Sequence, residues 1–142
     1  MKLKVTACIG SLIVLLSICM FISCQSDEQI EFNRYYSLGN LIYQQHCQNC
    51  HGAQGEGLRG LIPPLNDPAF LKANKTNLAC LVKNGLTGKI TVNGKSFEGE
   101  MLPVDLPSVE IAEVLTYINN SFGNKTREVT TRQVELDLKT CR

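Results

Sequence analysis

The run Cys47-Gln48-Asn49-Cys50-His51 decides how the rest of this chain is read. Two thiols separated by two residues can add to the two vinyl groups of one porphyrin, and the histidine that follows is then held against the iron as a proximal ligand. C-x-x-C also serves dithiol oxidoreductases, whose nucleophile is a thiolate, but those place the motif after a buried strand in a βαβ unit. What precedes Cys47 reads as helix. A structural zinc site usually takes four ligands, and no second C-x-x-C or H-x-x-x-H follows. The motif therefore points to one covalently attached haem c.

Working towards the N-terminus, Leu38, Leu41, Ile42 and Tyr43 form a helical stripe that predicts a helix from about Phe32 to Cys47. Gly39 lies inside it. A glycine in a helix interior costs about 1 kcal/mol against alanine, so close approach of another helix is the better account of its presence.

Towards the C-terminus, Gln54 to Gly60 is a glycine-rich loop of the kind that passes close to a flat ligand. It has neither the G-x-x-x-x-G-K-[ST] pattern nor the preceding strand of a phosphate loop. Leu61-Ile62-Pro63-Pro64-Leu65 gives a rigid apolar turn. A short helix is expected at Ala69–Lys72, and another at Leu78–Asn84 capped by Thr76 or Asn77 and stopped by Gly85. Around Asn93-Gly94, Ile90, Val92 and Phe97 suggest a loop or short hairpin leading to Met101. Ile111, Val114, Leu115, Ile118 and Phe122 recur at three and four, which predicts a last long helix over Ser108–Phe122. Asn124 to Arg142 reads as a polar tail, with a short helix capped by Thr130 or Thr131.

The 142 residues allow one small domain, and the start of the chain reads as an export signal. Lys2 and Lys4 precede a nearly unbroken apolar run, Val5 to Ile22. Phe21-Ile22-Ser23-Cys24 resembles a bacterial lipobox, which implies cleavage before Cys24 and its lipidation; Cys19 fits less well because Ile18 is bulky. A retained transmembrane anchor and simple secretion are the alternatives. The expected organisation is a signal peptide at 1–23, a lipid-anchored linker at 24–33, the haem domain at 34–124 and an extension at 125–142. Gln25 to Gln29 is polar and acidic and is expected to be a flexible tether. Acidic residues there also resemble a surface-export signal of some Gram-negative lipoproteins.

The chain carries 14 basic and 13 acidic residues. Loss of Lys2 and Lys4 leaves 12 basic residues against 13 acidic ones, a net charge of about −1. No nucleic-acid footprint shows in that balance, and nucleic acid is not an expected partner.

Three segments together resemble the class I c-type cytochromes over roughly Tyr35 to Asn124. They are Gly39-x-x-x-Tyr43-x-x-x-Cys47-x-x-Cys50-His51-Gly52, then Ile62-Pro63-Pro64-Leu65, then Met101-Leu102-Pro103 followed by Ile111 to Ile118. The resemblance implies an all-α fold, a small helical globule around one haem with its first and last helices crossing at Gly39 and Tyr117. It implies that Cys47 and Cys50 hold the haem and that His51 and Met101 ligate its iron. Pro63, with Pro64 as the alternative, would offer a carbonyl to the ring N–H of His51. Read without the family, a methionine such as Met101 is more often ordinary packing than a ligand. Met1 and Met20 fall in the signal, however, leaving Met101 as the only methionine of the mature chain. His46 reads as a partly exposed neighbour of the motif and not as a ligand. The family tends to place serine or threonine at the start of the last helix where this chain has Pro107, so Asp105 or Ser108 is expected to cap it.

With Cys8 and Cys19 in the signal, Cys24 lipidated and Cys47 and Cys50 on haem, Cys80 and Cys141 remain. They could pair in an oxidising compartment, or Cys80 could be a buried small hydrophobe.

The resemblance implies an electron carrier and not an enzyme, facing the periplasm or cell envelope on a lipid anchor. Its partners would be redox proteins, either a dehydrogenase or a terminal oxidase or reductase. A haem enzyme or gas sensor needs an open sixth position and becomes the better reading if Met101 does not bind. A dithiol oxidoreductase would be haem-free with a reducible Cys47–Cys50 bridge.

Overall fold

The computed structural model describes residues 26–126 and 128–141. The signal peptide and the lipidation expected at Cys24 lie outside these residues. The chain divides into two compact units, Met1–Ile30 and Glu31–Arg142, and the second carries the core. No helix among the described residues is long and apolar enough to cross a membrane.

The first helix, α1, spans Asp27–His46. It begins five residues earlier than the helix expected from about Phe32, and the tether expected at 24–33 is helical from Asp27. The reason is local: the Ser26 hydroxyl accepts from the Gln29 N–H at 3.3 Å, and Asp27 and Glu28 place negative charge in the first turn. Tyr35, Gly39, Ile42 and Tyr43 form its buried side.

A single turn, α2, follows at Gln48–His51, then α3 at Pro68–Ala73 and α4 at Leu78–Asn84. Asp67 caps α3 through the N–H groups of Ala69 and Phe70. Asn77 stands at the start of α4 but makes no side-chain cap there, contrary to expectation. The fifth helix, α5, spans Ser108–Asn119 and buries Ile111, Ala112, Val114 and Leu115. It ends before Phe122, whose positive φ of 57° cannot continue a helix. Neither residue expected to cap it does so. Pro107 occupies that position, and Asp105 instead accepts from the Lys83 ammonium at 2.6 Å.

Two strands amend the all-α expectation. Strand β1 (Leu86–Val92) pairs antiparallel with β2 (Lys95–Met101) across the Asn93-Gly94 turn, in the register Leu86↔Met101, Gly88↔Gly99 and Ile90↔Phe97. The helical globule thus carries a hairpin of seven residues per strand, longer than the sequence suggests.

The last helix, α6 (Thr131–Leu138), is capped by Thr130 through the Gln133 N–H. The extension expected as a polar tail packs on the rest: Val134 is fully buried, and Val129 and Leu138 lie against the same core. Tyr35 and Thr131 share a hydroxyl hydrogen bond at 2.8 Å. Cys80 of α4 and Cys141 just beyond α6 are joined by a disulfide, with 5.5 Å between their Cα atoms.

Candidate functional site

The last turn of α1 delivers Cys47, whose N–H donates to Tyr43 O at 2.9 Å. Within the next turn the His51 N–H donates to Cys47 O at 2.9 Å, so the first thiol and the imidazole stand one helical turn apart. Loop backbone then fixes the histidine from behind. The Gly57 N–H donates to His51 O at 2.8 Å, and the Tyr43 hydroxyl donates to Gly52 O at 2.7 Å. Gly57 has φ 69°, and a Cβ there would overlap the carbonyl of Ile62, so the loop needs glycine to close against the proline turn.

The buried His51 ring places Nδ1 3.1 Å from Pro63 O. A carbonyl can only accept, so Nδ1 carries the proton and Nε2 keeps its lone pair for a metal. Burial lowers the His51 pKa, and the Pro63 carbonyl opposes that only in part, so the ring is held neutral as a ligand must be. Burial pushes the Cys47 thiol up to about 11, with the neighbouring Cys50 adding to it. A dithiol oxidoreductase needs the opposite, an attacking thiol with a depressed pKa.

Cys47, Cys50, His51, Pro63 and Met101 all line one cavity of about 520 Å³. Its remaining walls are mainly apolar and come from α4, α5 and the hairpin, among them Val82, Leu115 and Ile118. Alternate hairpin residues, including Ile90, Val92 and Phe97, face it, while Thr87, Lys89 and Glu98 on the other face are exposed. His46 stands exposed at the rim. Cys80 and Cys141 lie apart from this wall. Among the described residues no three His, Cys, Asp or Glu side chains gather as a metal cage.

Two contacts of the site are invisible to sequence reasoning. Asp67, which caps α3, also accepts from the Asn93 N–H at 2.7 Å. Asn124 donates through Nδ2 to Leu65 O at 2.8 Å and so ties the end of the proline turn to the segment after α5. An aspartate before Pro68 signals a helix cap, but nothing local signals a partner 26 residues away.

The donor set fits the group that the motif implies. Two thiols and a neutral histidine lie on a single turn, a thioether shares their cavity, and apolar walls suit a porphyrin face. A helical globule with such a site belongs to the class of c-type haem proteins. The family model for cytochrome c matches residues 36–122, and the chain belongs to that family. It is similar to cytochrome c-552 of Thermus thermophilus, 33% identical over 91 residues that make up 61% of this chain and 69% of that relative. A second cytochrome c-552, from a particular strain of the same species, matches at the same identity with 61% of its own length covered, so the chain spans under two thirds of it. The protein is a haem electron carrier, of a family whose members bind haem c and its iron covalently.

Proposed function

We propose that this protein is a single-haem carrier in which Cys47 and Cys50 attach the porphyrin and His51 and Met101 ligate its iron. The observation that carries this reading is the convergence of all four side chains on one cavity. The haem supplies an iron that cycles between ferrous and ferric states. Pro63 O keeps the proton on Nδ1 and strengthens His51 as a donor. Met101 would supply a thioether that closes the iron to substrate, and such a ligand with apolar walls would favour a high reduction potential.

The same proposal has 1–23 as a cleaved signal and Cys24 as a lipid anchor, with the haem domain on the exported side serving a periplasmic dehydrogenase or a terminal oxidase or reductase. The Cys80–Cys141 bridge supports export, because disulfides persist in oxidising compartments. The packing of Val129, Val134 and Leu138 against the core supports a role for the 125–142 extension in steadying the haem domain.

The test is the spectrum of holo-protein purified from cells able to mature cytochromes. Sharp c-type bands on reduction are expected, with a weak far-red methionine–iron band in the oxidised form. Met101→Ala should abolish the far-red band and let the reduced protein bind carbon monoxide at neutral pH. A variant that keeps the wild-type spectrum and excludes carbon monoxide would rule out Met101 as the ligand.

A further inference from the structure

The hairpin β1–β2 is the wall of the cavity that ends in Met101. Its two strands form a sheet by themselves, so no third strand holds either edge. In a two-residue turn the first central residue has no ladder partner for its N–H. Here that residue is Asn93, with φ 48°, and its N–H donates to Asp67 Oδ2 at 2.7 Å. The Asn93 side chain adds a second tie, Nδ2 donating to Asn66 Oδ1 at 2.9 Å. The other carboxylate oxygen, Oδ1, accepts from Ala69 N at 3.0 Å and Phe70 N at 3.1 Å, which fixes the carboxylate at the start of α3.

We propose that Asp67 is a positioning residue for the methionine side of the haem pocket: it latches the hairpin tip to the wall that descends from Pro63, and so keeps Met101 seated on the iron. The closure itself stands on the hydrogen bonds; only its effect on the iron rests on the ligation proposed above. Pro63, whose carbonyl holds His51, and Asp67 are four residues apart on one segment. The carboxylate therefore joins the segment that fixes the histidine to the element that delivers the methionine. A charged acceptor makes the stronger kind of hydrogen bond, and the Asn93–Asn66 contact adds a second tie at the tip.

The experiment compares full-chain holo-protein with Asp67→Asn and Asp67→Ser. Both keep an oxygen that caps α3. Asparagine turns an N–H₂ towards one of its former donors, and serine is too short to reach Asn93. Amide hydrogen exchange across 86–101 should accelerate about tenfold in both variants, the loss expected of one charge-assisted hydrogen bond. Carbon monoxide should bind the reduced variants faster by a similar factor, with a weakened far-red band in the oxidised form. Thr130→Ala, which removes the cap of α6, serves as a variant of merely structural effect and should move neither readout. The latch is overturned if hairpin exchange and carbon monoxide binding match wild type in both Asp67 variants, or rise equally in Thr130→Ala. Faster hairpin exchange alongside a wild type that lacks the far-red band upholds the latch and removes Met101 from the iron.

Discussion

Gly39 lies against the backbone of Glu113, so close that a Cβ at position 39 would stand 2.6 Å from the Glu113 carbonyl carbon and 2.9 Å from the Tyr117 Cβ. The first and fifth helices cross at this contact. Alanine at position 39 gains about 1 kcal/mol of helix propensity, but overpacking against backbone that cannot move aside costs more. Gly39→Ala should therefore lower stability by about 1–2 kcal/mol, measured by denaturant unfolding of the holo-protein. A gain in stability would mean that the helices separate at no cost.

The bridge between Cys80 and Cys141 closes a loop with a sequence separation of 61. By the chain-entropy estimate, Cys80→Ser with Cys141→Ser should cost roughly 4 kcal/mol. Reductant should shift the urea midpoint of the wild type towards that of the double variant and leave the variant itself unmoved. Two free thiols in the mass of unreduced wild type would remove the bridge.

The carboxyl of Glu113 is buried on α5, and its pKa is raised above the ordinary 4.5. Burial is the main cause; the Arg34 charge opposes it, and Glu110 reinforces it. A carboxyl whose folded pKa exceeds its unfolded one costs stability in its charged form. That cost is complete above the folded pKa and disappears as pH falls below the unfolded value. Glu113→Gln should accordingly be more stable than wild type at pH 7, with the difference gone below about pH 4. Thermal unfolding across that range checks it, and a difference independent of pH would count against burial as the cause.

What could be read from the chain alone is what neighbouring residues decide. The C-x-x-C-H turn needs only five positions, Leu78–Asn84 runs up to the glycine that ends it, and Asn93-Gly94 forms its turn where expected. Long-range pairing was not legible. Asp105 looks like a helix cap until Lys83, 22 residues upstream, takes its carboxylate. The stretch from 125 onwards looks like a solvated tail because so few of its residues are apolar, yet Val129, Val134 and Leu138 pack on the core and the disulfide holds the end of α6. The start of α1 was missed for the opposite reason. Its first turn buries nothing, so no stripe marks it, and the Ser26 cap with two acidic residues sets the boundary instead. At the site, Cys47, Cys50 and His51 stand in one local motif and Met101 was singled out through the family resemblance, whereas nothing in the sequence marked the Asp67 carboxylate that reaches Asn93.

The disulfide also imposes an order on how the molecule is made. On the attachment proposed here, Cys47 and Cys50 must meet the porphyrin as thiols, while Cys80 and Cys141 must lose theirs. Four cysteines in one chain then need opposite fates in one compartment. An oxidant able to close the bridge is equally able to join Cys47 to Cys50, whose spacing permits it, and Cys50 is exposed to attack. Biogenesis therefore becomes a sorting problem: either haem claims its pair first, or a dedicated reductant reopens that pair while sparing Cys80, which is buried beneath α6.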